Sequence, residues 1–364
     1  MQFPTDHNSI LERVEQIKPL QYANTRNYID GDVTYLSPYI SRGVISLPQV
    51  AKQALKCYHP FQVQKFLQEL AWREYWQRTW QELGENIFTD IKQPQPNVAH
   101  RTMVTAVENA NTGIEAIDKQ IQLLYKTGYM HNHVRMYVSS LACNIAGAHW
   151  LKPSQWMYYH LLDGDLASNS LSWQWVAGSF SARKYYCNQE NINRFTHSQQ
   201  QHSFLDCSYE ALTDMEIPKA LREESPLSLE TKLPQTGVPV IEESLPVLLY
   251  NAYNLDPLWH QNEKANRILL LEPSHYQKFP VSEKVLGFIL ALSQNIEGIQ
   301  IFTGELTALS SVCKNNKIIF KQHPAFLHYQ GTAEKYDELF PQVTGYYNSF
   351  FAYWKRCEKY LKDL

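Results

Sequence analysis

Residues 159–176 read YHLLDGDLASNSLSWQWV. Asp163-Gly164-Asp165 sets two carboxylates on a tight turn just before a helix. An acidic turn standing alone is ordinarily an N-cap, because a carboxylate accepts from the free N–H groups of a first helical turn. The residues after this turn support a second reading. Asn169 and Trp173 are four apart and share a helix face, while Trp175 points elsewhere. An amide, an indole and two carboxylates gathered at one helix entrance suit a flat, polar, redox-active ring.

Three other stretches bear on this one. In 127–137, TGYMHNHVRMY, Asn132 and Arg135 share a helix face, and Arg135 suits one of the two carboxylates as partner. His131 and His133 lack a Cys, Asp or Glu at ligand spacing, so core or surface histidines are expected and no metal. In 69–76, ELAWREYW, Glu69 and Arg73 either pair at i, i+4 or, with Trp72, line a cleft that stacks a base and anchors a phosphate. In 33–43, VTYLSPYISRG, a turn before Pro38 offers hydroxyls and backbone N–H groups to a phosphate.

Helical spacing extends over 64–83, 114–127 (with Gly128 as C-cap) and 130–147, where Val134, Val138, Leu141 and Ile145 form one apolar stripe. Residues 205–244 alternate prolines with acidic pairs and read as a linker or surface strap. Beyond 245, short apolar runs at 246–250, 267–272, 299–303 and 317–320, with a helical stretch at 281–295, indicate a small parallel α/β layer. An aromatic helix over 346–361 comes last. The expected division is therefore 1–204 helical, 205–244 strap, and 245–364 a small α/β domain with a C-terminal helix.

The chain has 364 residues, and 33 Lys+Arg against 36 Asp+Glu leave a net charge of −3. Residues 1–200 hold 18 basic and 16 acidic side chains (+2) and residues 201–364 hold 15 and 20 (−5), so any nucleic-acid surface belongs to the first half. Six scattered cysteines without a CxxC argue against a disulfide framework or metal cage. No apolar run reaches the ~18 residues of a membrane helix, and the start shows no signal-peptide pattern. A monomer in a reducing, cytoplasmic setting, away from membranes, is expected.

Taken in order, YLSPYISRGVIS, ELAWREYW, TGYMHNHVRM and DGDLASNSLSWQW resemble the FAD-binding domain of DNA photolyases and cryptochromes, over about residues 20–197. The resemblance implies a mostly α fold: an all-helical photolyase-type domain holding FAD, followed here by the small Rossmann-like α/β domain. The family usually places an α/β antenna domain first, so a rearranged order is implied, with the antenna pigment unknown. For FAD it implies Tyr22, the turn Thr34, Tyr35, Leu36 and Ser37, then Arg73, Asn132, and Arg135 paired to Asp163. Asp165 would bond the polar edge of the ring, and Asn169 would face the nitrogen protonated on reduction. Glu69, Trp72, Met136 and Trp175 would line a cavity for a flipped pyrimidine dimer in damaged DNA; Arg26, Arg42, Arg183, Lys184 and Arg194, drawn from the slightly basic first half, are the candidates for its rim. Trp173 and Trp150 match the first two members of the electron-transfer chain. The third should fall in 97–107, which has no Trp or Tyr, leaving Trp156, Tyr158 or Tyr159 as substitutes. Asn169-Ser170-Leu171-Ser172 and His133 depart from the family pattern. Light-driven dimer repair by electron transfer from reduced FAD is the expected function. The alternatives are a cryptochrome-like photoreceptor without repair and a scaffold that has lost FAD.

Overall fold

Helices in the middle of the chain begin and end where their capping residues stand. The computed structural model describes residues 2–313 and 316–364. Helix Glu115–Thr127 ends on Gly128, whose φ of 74° is the left-handed conformation that a C-cap needs. Helix Leu166–Ala177 starts on Asp165, whose carboxylate accepts from the Ser168 N–H, and stops at Gly178, φ 83°. Helix Asn132–Ser140 is continued by a π-helical turn, Leu141–Ile145, so the expected 130–147 helix is interrupted near its C-terminal end. Its stripe holds all the same: Val134, Val138, Leu141 and Ile145 are buried in one core with Ile117, Ile121, Leu124, Trp150, Trp156 and Trp173. Each such aliphatic side chain contributes roughly 1.5–3 kcal/mol on burial.

These helices belong to one of two compact units, made of Leu20–Val33 and Trp76–Leu229. The other unit is assembled from Met1–Pro19, Thr34–Tyr75 and Glu230–Leu364. This division differs from the expected 1–204, 205–244 and 245–364. The first half of the strap packs into the helical unit, with Leu205, Leu212, Leu221 and Leu227 in its core and Glu224–Ser225 paired antiparallel to Met103–Val104. The acidic and proline residues that suggest a linker alternate with leucines that pack inward.

In the other unit a five-stranded parallel sheet runs in the order Ile299–Thr303, Asn266–Leu271, Val247–Tyr250, Ile318–Lys321, Thr332–Glu334. Four of its strands fall on the apolar runs. The fifth, of three residues reading Thr-Ala-Glu, carries no apolar run and gives no signal in the sequence. Val247 to Tyr250 are all buried, as expected of a central strand covered on both faces. Helix Glu283–Ser293 is capped by Ser282. The second half of the strap runs along the outer strand. Gln300 exchanges two hydrogen bonds with the Val240 backbone at 2.8 Å, and the Thr303 hydroxyl donates to the Pro234 carbonyl at 2.7 Å. It thereby covers a sheet edge that would otherwise present unpaired backbone. Among the described residues no helix is long and apolar enough to cross a membrane.

Candidate functional site

The helical unit holds Tyr22, Asn132, Arg135, Met136, Trp150, Asp163, Asp165, Asn169, Trp173 and Trp175. The α/β-containing unit holds Thr34, Tyr35, Leu36, Ser37, Glu69, Trp72 and Arg73.

In the helical unit the expected pair forms. Arg135 Nη2 donates to both oxygens of Asp163 at 3.0 and 2.9 Å. The two side chains are 20 % and 5 % exposed, which leaves the charges little water and makes each depend on the other. Arg135 is further held by its Nε–H to the Met130 carbonyl, 2.9 Å, with the guanidinium over the Tyr129 ring. Asp165 is an N-cap with a second partner: Oδ1 takes the Ser168 N–H at 2.7 Å and Oδ2 takes Gln77 Nε2 at 2.5 Å. Asn169 donates its amide N–H to the Ser154 carbonyl at 2.9 Å. That bond sets which end of the amide is spent and leaves the oxygen as acceptor. Asn132 is exposed at the first turn of its helix, Met136 is half-buried, and Tyr22 is half-buried on helix Pro19–Thr25.

His131 is a buried histidine. Its Nδ1 accepts the His133 N–H at 3.2 Å, so the ring proton sits on Nε2. That Nε2 is buried and has no partner among the described residues. Burial, with His133 and Arg135 nearby, pushes its pKa down to about 4, so it is a neutral donor at ordinary pH. The Ser168 hydroxyl is a second buried group without a partner among the described residues. These two adjoin Asn132 and Asn169 in sequence, so unspent polar capacity falls beside the residues assigned to the cofactor ring. His133 gives its ring N–H to the Asn27 carbonyl at 2.9 Å and is held neutral by burial.

Trp173 and Trp150 are both buried, and Trp150 is pinned by its indole N–H on Asp90 Oδ1 at 2.8 Å. Burial acts to raise the Asp90 pKa, but donation from Trp150, the Gln95 N–H and His149 outweighs it, and the carboxyl lies below its usual range. Of the substitute donors, Trp156 gives its N–H to the Tyr125 hydroxyl at 2.9 Å, Tyr158 is buried, and Tyr159 packs edge-on against His160. Trp175 is exposed beside Tyr185.

In the α/β-containing unit the 34–37 turn is backbone-strained at Tyr35, φ 54°, a conformation rare for a bulky residue. The Thr34 hydroxyl accepts the Leu36 N–H, and helix Ser37–Ser41 comes next. Arg73 Nη1 donates to the Ser41 hydroxyl at 3.0 Å, and Glu69 takes Lys65 at 2.7 Å as its ion-pair partner. Trp72 lies face to face on Phe350, ring centroids 3.6 Å apart and planes 10° from parallel. Among the suggested rim residues, Arg183 and Arg194 are exposed and Arg26 and Lys184 half-buried, but Arg42 is 1 % exposed and meets no strand. Its guanidinium lies over the Tyr253 ring instead.

Gln77, Ser154 and Phe350 are missed by the sequence reading. Gln77 alone leaves a trace, standing four after Arg73 on one helix.

The family model for the FAD binding domain of DNA photolyase matches residues 66–209. The chain is 31% identical over 170 residues to the deoxyribodipyrimidine photo-lyase of Synechococcus sp., covering 43% of this chain and 35% of that one. It is 32% identical over 150 residues to the enzyme of that name from Agrobacterium fabrum, covering 40% and 31%. It thus spans about a third of the length of these relatives. A solved structure of a Synechocystis sp. cryptochrome is similar at 22% identity and a TM-score of 0.47, over 54% of this chain and 44% of that one. Residues 66–209 of the chain thus carry an FAD-binding domain of the photolyase/cryptochrome kind.

Proposed function

We propose that the chain is a photolyase-type flavoprotein that binds FAD without a covalent bond and repairs pyrimidine dimers in DNA under blue light. The observation that carries this reading is the buried Arg135–Asp163 pair followed by Asp165 on a helix N-cap, inside the segment that the photolyase FAD-binding family matches. Bound FAD would supply the light-driven one-electron chemistry, and the protein sets position and charge. Asp165 is the assigned acceptor for a ring N–H, and Asn169, held by its amide N–H on the Ser154 carbonyl, is the assigned partner of the ring nitrogen protonated on reduction. His131 offers a neutral N–H, and Arg135 holds Asp163 in place through both carboxylate oxygens. Thr34 to Ser37 are the assigned phosphate residues. Trp173 and Trp150 are the assigned inner members of the electron path. The partner is damaged DNA, met by Glu69, Trp72, Met136 and Trp175.

One observation favours a second reading, a cryptochrome-like photoreceptor without repair: Trp72, the residue assigned to stack on a lesion base, already gives one ring face to Phe350. A repair assay separates the two. Protein with chemically reduced flavin is illuminated with blue light in the presence of an oligonucleotide holding one cyclobutane dimer. Restored bases support repair, and no restoration by a protein that carries FAD supports the photoreceptor. A purified protein without flavin removes both.

A further inference from the structure

In a doubly wound parallel sheet a ligand ordinarily sits outside the carboxyl ends of the strands, where the strand order reverses. Here the order reverses between Val247–Tyr250 and Ile318–Lys321, which are parallel neighbours. The loops that leave these two strands meet at that point. Tyr253 stacks on His323 with centroids 4.3 Å apart and planes 6° from parallel, and the Tyr336 hydroxyl donates to the Tyr253 carbonyl at 2.7 Å. The buried guanidinium of Arg42 lies 5.7 Å from the centroid of Tyr253. The backbone makes the same junction. The Leu255 N–H donates to the Arg42 carbonyl at 2.9 Å. Gly43 has φ +65°, and a Cβ on it would come within 2.3 Å of the Tyr253 carbonyl oxygen. Arg42 thus reaches the place beside the reversal point where such layers elsewhere receive a nucleotide in a crevice.

We propose that Arg42 is a positioning residue: seated at the reversal point of the α/β layer, it holds the Thr34–Ser37 turn in place for the diphosphate of FAD. The layer then serves the cofactor by holding its phosphate turn. The inference rests on the FAD reading. The link from Arg42 to the turn is one short rigid piece. Helix Ser37–Ser41 directly follows the turn, the Arg42 N–H donates to the Pro38 carbonyl, and the Gly43 N–H donates to the Ile40 carbonyl. Arg73 braces the same helix through the Ser41 hydroxyl. A shift at Arg42 therefore moves Ser37 with it.

Riboflavin lacks the diphosphate and the adenosine, so its comparison with FAD reads whether a loss falls on that half of the cofactor or on the ring. Affinities of the full chain for FAD and for riboflavin are measured by flavin fluorescence in the parent, Arg42→Met, Tyr253→Leu and Tyr253→Phe. Expected is FAD binding weaker by about tenfold in Arg42→Met and Tyr253→Leu, the loss of one modest interaction. Riboflavin binding should be unchanged, and Tyr253→Phe, which keeps the ring, should match the parent. Parental FAD affinity in Arg42→Met overturns the proposal, and so does an equal loss for both flavins, which marks a merely structural role. If circular dichroism shows Arg42→Met unfolded, Arg42→Lys, which keeps the charge but not the flat guanidinium, is judged by the same outcomes. A parent that binds no FAD overturns the FAD reading and the proposal together, whereas a binding parent with indifferent variants overturns the proposal alone.

Discussion

Asp165 serves two purposes with one carboxylate, and they can be separated by substitution. Its Oδ1 caps helix Leu166–Ala177 while Oδ2 holds Gln77. Asp165→Ala removes the cap and should cost about 1 kcal/mol even without flavin. It also removes an acceptor for a buried ring N–H, so flavin content should fall. Asp165→Asn keeps a capping oxygen, and its stability should stay near that of the parent while flavin binding still weakens. Urea unfolding of flavin-free protein and flavin absorbance of the purified variants read the two effects apart; equal stability of both variants would deny the cap its part. At this scale the residue types and spacings were legible, because caps and i, i+4 neighbours are local. Gln77, Ser154 and Phe350 were not, since their roles depend on contacts between residues far apart in sequence.

Helix Gln64–Leu83 shows how an element acquires a role that its own sequence does not announce. Its length and period could be read directly. Hidden was the load on Glu74, which is buried and accepts the backbone N–H groups of Leu339 and Phe340 and, at 2.6 Å, the hydroxyl of Tyr353. Three donors from 339–353 thus converge on one carboxylate, and Phe350 stacks on Trp72, two residues before it. Glu74→Ala strands those donors, at about 1–3 kcal/mol for each that stays buried. Expected is a marked loss of stability, with the segment after 335 becoming the first site of limited proteolysis. Unchanged cleavage would show that Glu74 does not anchor it. The short strand Thr332–Glu334 escaped notice for a related reason: it pairs because Ile318–Lys321 offers an edge, not because Thr-Ala-Glu favours a strand.

For the whole molecule, acid stability depends on histidines kept neutral by burial. His131 and His160 are pushed down to about 4 and His275 to about 3, each chiefly by burial. The unfolded chain, with ordinary histidines near 6.5, binds more protons than the folded one below that pH. Stability should be fully present above about pH 6.5 and decline steadily toward pH 4. His260, raised by Glu263 and Glu334 against a burial effect of opposite sign, contributes in the reverse sense, with stability present below about 6.5 and lost as the pH rises through its raised pKa. Being more exposed, it should matter less. Urea midpoints across pH 4 to 8 test this, and a flat profile below 6.5 would contradict it. The division of the chain was the least legible feature, because it depends on where Met1–Pro19 and Thr34–Tyr75 pack and not on what they are. It predicts that residues 1–204 alone, cut from the sheet, leave those two segments without a core. Such a fragment should be aggregation-prone or poorly ordered by circular dichroism, and a cooperative thermal transition in it would argue otherwise. The three-piece unit also bears on synthesis. Trp76–Leu229 can condense as it leaves the ribosome, but Thr34–Tyr75 must wait until Glu230 and the strands beyond it emerge. At 5–20 residues per second that is a delay of about 8 to 30 s. Through that interval the apolar faces of the early helices stand open, so a nascent chain paused before residue 230 should be a client for holding chaperones, and one paused after the sheet is complete should not.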